Sequence, residues 1–246
     1  MSGIVGVWQL DGAPVERDSL GRMLKTIGHR GSGVSRTETI EGFGLGNQLI
    51  SETAKFPSPM PLVCPETGRL VVADARLDNA TELGEILALP REILQGDRDR
   101  LCAWVILASY EKWGKECPER LRGDFVFAIA DPERRKLFLA RDPFGARPLV
   151  YFHDPGHLFA FASEAKALFD YPGIPKEPHL PRFADFLVPQ LETLDFESTF
   201  FERLYRFPPG SCLEFAAEMA TVKPRRWFHL DPDAEELRLR SDQEYE

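Results

Sequence analysis

The chain has 246 residues, with 30 Lys plus Arg against 39 Asp plus Glu and a formal net charge of −9. That length suits one large domain or two small ones. A hydrophobic fraction of 43% with 28% charged residues excludes collagen-like, low-complexity and disordered chains. The acidic balance argues against a general nucleic-acid binder, which needs a basic face to displace counterions. No apolar run approaches the ~20 residues that span a bilayer, so no membrane partner is expected. The N-terminus, MSGIVGVWQLDG, has no basic region ahead of its apolar stretch and is not a signal peptide. Cys64, Cys102, Cys117 and Cys212 lack the short spacings of zinc or redox motifs and read as reduced thiols. Together these features predict a cytoplasmic protein.

In chain order, residues 3–10 (GIVGVWQL) predict a strand ending in an Asp11-Gly12 turn. Pro14 then opens a helix to about Ile27, with Leu20, Met23, Leu24 and Ile27 at helical spacing. His29 to Gly33 is a loop. Residues 37–50 read as strands. Their GFGLG run is a weak match to a phosphate loop, and since no helix follows, close packing on the glycines is the better reading. Residues 53–61 form an irregular proline-rich loop. Leu70–Ala73 is a short strand, 80–88 a helix, and 101–113 (LCAWVILASYEKW) a helix buried on most sides. Residues 124–131 and 136–142 form a hairpin, with Phe125 and Phe127, like Trp113, in the core. Residues 149–152 and 158–161 form a second hairpin, and Arg141 and Asp142 order the turn between the two. A short helix follows over 164–169 and a loop over 171–181. A Pro208-Pro209-Gly210 turn then leads to a last strand, SCLEF.

Runs such as FVFAIA and LVYF do not alternate cleanly, so their sheets are covered on both faces. The fold class is α+β, a layered sandwich with helices outside. Residues 1–229 make one domain, and 230–246, charged throughout, read as a linker or the start of a further domain.

Several segments taken in order resemble one family. They are MSGIVGV, GHRGSG (28–33), ASYEKWG (108–114), RLRGDFVFAIAD (120–131), ARDPFGARPLVY (140–151), FASEAKAL (161–168) and FERLYRFPPGSCLEF (201–215). The set resembles the N-terminal class II glutamine amidotransferase domain of asparagine synthetases, in the branch that holds β-lactam synthetases and lasso-peptide cyclases. The resemblance implies a four-layer αββα sandwich, the N-terminal-nucleophile hydrolase fold. In that family the nucleophile is a Cys exposed by removal of the initiator Met, and its own α-amine, titrating at about 7.7–8.0, is the base. The domain hydrolyses glutamine and passes ammonia to a C-terminal domain that adenylates a carboxylate.

This sequence departs from that pattern. Ser2 stands at the nucleophile position. Gln48 stands where an Arg holds glutamine's carboxylate, and it cannot supply a charged bidentate fork. Asp74-Ala75 replaces the Asn-Gly that forms the oxyanion hole; Ala75 keeps an N–H, but Asp74 sets a carboxylate where negative charge would develop. The Asp for the substrate ammonium corresponds to Asp99 or to Cys102, depending on a gap. The rival reading of Asp74 joins it with Arg76 and Asp78 in a surface charge cluster, and His29 reads as structural.

The resemblance therefore implies a degenerate glutaminase-like domain with a structural and interface role in an ATP-dependent amide-forming ligase. Its partner would be a synthetase domain in cis or a separate subunit, docking near Phe207, Pro208, Pro209, Trp227 and Phe228. ATP and Mg²⁺ would bind only there, with no cofactor or metal in this chain. The chain ends about where that synthetase domain would begin, which implies an excised domain or a split gene. The alternatives are an active Ser-nucleophile amidohydrolase acting on a cationic amide and a free-standing binding or regulatory module. Pairing with a second copy of the chain stays open.

Overall fold

The computed structural model describes residues 2–31, 35–49, 60–188 and 195–230. Ser32 and Gly33 of the predicted loop, residues 53–59 and the charged segment from residue 231 lie outside the described residues.

Two six-stranded sheets form the centre. The first runs in the order β10 (Leu204–Arg206), β8 (Val150–Asp154), β9 (Leu158–Ala162), β1 (Gly3–Gln9), β3 (Phe43–Gln48), β2 (Ser35–Ile40). The second runs in the order β12 (Arg225–Arg226), β11 (Ser211–Ala216), β7 (Lys136–Arg141), β6 (Gly123–Asp131), β5 (Leu70–Leu77), β4 (Leu62–Val63). Every pairing is antiparallel. The N-terminal strand is central, as the sequence predicts.

Three apolar layers hold four structural layers together. Between the sheets, Trp8 stacks on Phe43 at 4.4 Å and Phe159 meets Phe215 at 4.7 Å, alongside Val72, Val126 and Leu139. Outside the first sheet, α1 (Arg17–Thr26) and α5 (Ala165–Leu168) cover Val5, Val7 and Ala160. Outside the second, α2 (Ala80–Ile86), α3 (Arg91–Leu94) and α4 (Arg98–Trp113) cover Val71, Ala73, Phe125 and Phe127. The architecture is the αββα sandwich. The sheets lie inside it, which is why their strands are apolar on both faces.

The alternate glycines of β3 serve helix packing. A Cβ on Gly44 would stand 2.6 Å from Val15 and 2.7 Å from Leu20, and one on Gly46 would stand 2.9 Å from Leu24. Bare backbone lets α1 lie close against the sheet.

Element boundaries differ from expectation at four places. Helix α1 starts at Arg17, not Pro14, because Asp11 accepts the Ala13 N–H in a local turn and Val15 is needed extended beneath Gly44. Helix α4 starts at Arg98, where Asp97 Oδ1 accepts the N–H groups of Asp99 and Arg100, an N-cap. Strand β5 continues four residues past Ala73, in register with β6 as far as Gly123. Helix α6 (Leu180–Leu187) begins inside the predicted loop, with Pro181 in its first turn, where the missing N–H costs nothing.

The expected docking surface also changes. Phe207 is fully buried between the sheets. Trp227 is half-buried, stacked 6.2 Å from Phe125, and its Nε1 donates to the Arg141 carbonyl at 3.3 Å. The aromatic that stays out is Phe144, 81% exposed and set edge-on to Phe228.

Candidate active site

Strand β1 pairs Gly3 with Gln48 and Ile4 with Asn47, so Ser2 stands just beyond the sheet, beside the end of β3. Asn47 bridges the sheets: its Nδ2 donates to the Ala73 carbonyl at 3.2 Å. On β5, residues Val71 and Ala73 face the helices while Leu70 and Val72 face the other sheet. The alternation of a strand carries Asp74 to the inter-sheet side, under the start of β1. Asp74 is 4% exposed.

One arginine reaches this carboxyl and a second acts on it through its charge. Arg147 is delivered by the loop after β7. Asp142 accepts the N–H groups of Phe144, Ala146 and Arg147, and the Arg141 guanidinium donates to the carbonyls of Gly145, Arg147 and Phe207 at 2.5–2.6 Å. The two residues thus order this turn as the sequence suggests. The loop sets Arg147 Nη1 3.6 Å from Asp74 Oδ1 and Nη2 4.0 Å from Asp124 Oδ2. Arg30, buried in the turn after α1, has its Nε 3.3 Å from Glu164 Oε1. Glu164 also meets His29 at 2.9 Å and Lys166 at 3.0 Å.

Burial pushes the Asp74 carboxyl above the ordinary range; Arg147, then Arg30, the chain's N-terminal ammonium and the backbone N–H of Ser2 oppose that without cancelling it. Burial also raises Asp99, with the negative charges of Asp97 and Asp74 adding to it. Asp99 therefore shares the field of Asp74. Cys102 is fully buried in the helix-side core and its thiol is held up by burial.

Gln48 is buried with both ends of its carboxamide engaged. Nε2 donates to the Gly31 carbonyl at 2.8 Å, and Ser35 Oγ donates to Oε1. Gly31 permits this approach, since a Cβ there would lie 2.2 Å from the Leu49 carbonyl oxygen. Ala75 is half-buried beside Asp74 on β5.

The surface-cluster reading of Asp74 fails. Arg76 and Asp78 pair at 3.4 Å on the surface, joined by Arg98, but Asp74 is roofed by the first sheet and turns to Arg147. Sequence reasoning assigned no role to Arg30, Asn47 or Arg147. Arg30 and Arg147 lay inside GHRGSG and ARDPFGARPLVY, yet nothing local shows that those loops meet.

Two stacked antiparallel sheets between helices, with β1 at the centre of the first, are the fold of N-terminal-nucleophile hydrolase amidotransferase domains. The family model described as "Glutamine amidotransferase domain" matches residues 1–228, and the chain belongs to that family. "Asparagine synthetase [glutamine-hydrolyzing] 3" of Bacillus subtilis is 29% identical over 161 residues, covering 65% of this chain and 26% of that protein. "Putative asparagine synthetase [glutamine-hydrolyzing] 2" of Methanocaldococcus jannaschii is 25% identical over 247 residues, covering 95% of this chain and 47% of that protein. The chain thus spans about a quarter to a half of these relatives. Among solved structures, glutamine phosphoribosylpyrophosphate amidotransferase from B. subtilis superposes with a TM-score of 0.60 at 18% identity, over 91% of this chain and 49% of that one. Among the described residues no helix is long and apolar enough to cross a membrane.

Proposed function

We propose that this chain is an amidotransferase domain that no longer hydrolyses glutamine and acts as a structural and docking unit for an ATP-dependent, amide-forming synthetase unit. The observation that carries this reading is the state of Gln48. Its carboxamide is neutral and already bound to Gly31 and Ser35, so nothing at that position offers charge to an amino-acid carboxylate. The buried carboxyl of Asp74, at the oxyanion position, supports the same conclusion: when ionised it repels the charge that acyl transfer develops. Ser2, a far weaker acid than Cys, is a third departure.

The relatives are named as glutamine-hydrolysing asparagine synthetases and are two to four times the length matched here, which supports a synthetase unit as the partner, in cis or as a separate subunit. The resemblance assigns ATP and Mg²⁺ to that unit. Phe144, 81% exposed, sits edge-on to the half-buried Phe228 near the last described residues, a suitable place for such a unit to dock.

The test is glutamine-dependent ammonia release by protein beginning at Ser2 and by its Ser2→Cys variant. Background rates in both are expected. Ready turnover by either overturns the proposal.

A further inference from the structure

We infer that Asp74 is an internal counterion for the α-ammonium of Ser2, so that loss of Met1 closes this site on itself instead of arming it. The inference rests on the lost-hydrolysis reading and adds what replaced the chemistry. The covalent step is ordinary hydrolysis: an aminopeptidase adds water across the Met1–Ser2 peptide bond, releasing methionine and leaving a primary amine on Ser2.

Four buried side-chain atoms at this junction, the acceptors Asn47 Oδ1 and Asp74 Oδ2 and the guanidinium donors Arg30 Nε and Arg147 Nε, have no hydrogen-bond partner among the described residues. Such atoms are rare in folded proteins and are destabilising when left unmatched, so a cluster of them points to a group that completes the site. The two guanidiniums keep ion-pair contacts, Arg30 with Glu164 and Arg147 with Asp74 and Asp124, whereas the two acceptors have no donor. The group that fits those two acceptors, one of them a carboxylate oxygen, is a cationic donor.

The cations already present do not fill that role. Arg147 stands 3.6 Å from Asp74 Oδ1 and is shared with Asp124, well beyond the 2.7–2.9 Å of a charge-assisted hydrogen bond. Arg30 is engaged by Glu164. The chain's N-terminal ammonium lowers the Asp74 carboxyl through its charge alone, with no hydrogen bond given to it, and Asp99 on α4 adds negative potential. Asp74 lies too deep for an outside ligand to reach easily, but Ser2 stands at the start of β1 beside the end of β3, where Asn47 bonds to the Ala73 carbonyl next to Asp74, and the Ser2 backbone N–H is among the groups that hold that carboxyl down. In a chain that starts at Ser2 that nitrogen is an ammonium with three donors. Asn47, opposite Ile4 on the neighbouring strand, lies on the same side of the junction as a further acceptor.

The consequence is chemical. A carboxylate beside an amine favours its charged form. The α-amine that should take the nucleophile's proton is then held protonated at neutral pH, and the Ser2 hydroxyl has no base.

The experiment is a ¹³C NMR titration of Ser2 in serine-labelled protein shown by intact mass to begin at Ser2, with the signal assigned by its loss in Ser2→Ala. A midpoint of about pH 9 or above is expected, against roughly 7.7–8.0 for a free α-amine. In Asp74→Asn the midpoint should return to that ordinary range or below. A wild-type midpoint at or below 8 overturns the inference, as does an Asp74→Asn midpoint as high as wild type. If Asp74→Asn does not fold, the comparison of folded with urea-unfolded wild type carries the test: equal midpoints overturn it. Absence of glutamine turnover alongside an ordinary midpoint would remove this inference and leave the lost-hydrolysis reading standing.

Discussion

Arg147 stands over Asp74 with Nη1 3.6 Å from Oδ1, and both side chains are almost excluded from solvent. The pair joins the loop after β7 to the middle of the sandwich. An ion pair here serves the fold. Breaking a buried pair by removing one partner costs far more than the intact pair contributes, so Asp74 and Arg147 are tied to each other.

The loop that delivers Arg147 depends on Arg141, whose guanidinium satisfies three carbonyls from two segments. Arg141→Met leaves those carbonyls without their donor. A loss of about 3 kcal/mol or more is expected at roughly 1 kcal/mol per bond, which lowers Tm by roughly 6–12 °C for a domain of this size. Calorimetry checks it, and a shift under 2 °C would show that the loop holds without its guanidinium.

Two glycines make a matched pair. Gly44→Ala drives a Cβ into Val15 and Leu20 and should destabilise by about 1–3 kcal/mol, the range for overpacking. Gly21→Ala, inside α1 with open space around it, should stabilise by roughly 0.5–1 kcal/mol through helix propensity. Urea denaturation of both variants checks this, and the same sign for both would refute the packing account of β3.

Glu164 gives a pH-dependent prediction. Partial burial pushes its carboxyl up, but Lys166, His29 and Arg30 outweigh that and hold it below the usual carboxylate range. A depressed folded value means stability that is present at neutral pH and lost as pH falls from the ordinary value of about 4.3 through the folded one. Glu164→Gln should therefore be less stable than wild type at pH 7 by about 1 kcal/mol, the scale of a partly exposed pair. The gap should close below about pH 4. A gap that widens on acidification contradicts the assignment.

Restoring the nucleophile alone should not restore glutamine hydrolysis. Gln48 lacks a charged donor worth about 1.5–3 kcal/mol, and Asp74 removes an oxyanion donor worth roughly 2.7–4 kcal/mol. Together they predict that Ser2→Cys falls roughly 10³–10⁵ short in kcat/KM of a site with both groups present. The triple variant Ser2→Cys/Gln48→Arg/Asp74→Asn should show weak ammonia release. It should also be less stable, since Arg at position 48 gives up the bonds to Gly31 and Ser35.

The sequence by itself determined the layered α+β fold and the central place of the first strand. Long apolar strands such as FVFAIA need cover on both faces, and the ordered motifs carried the family. It also marked Ser2, Gln48 and Asp74 as departures, because residue identity is local information. Tertiary structure decided what those residues do. Asp74 and Arg76 are two apart on one strand and share a face, yet one is buried and the other pairs on the surface. Arg147 lies 73 positions from Asp74, and Gly31 lies 17 from Gln48. Burial and pairing between segments so far apart are set by how the sheets stack, which no local pattern encodes.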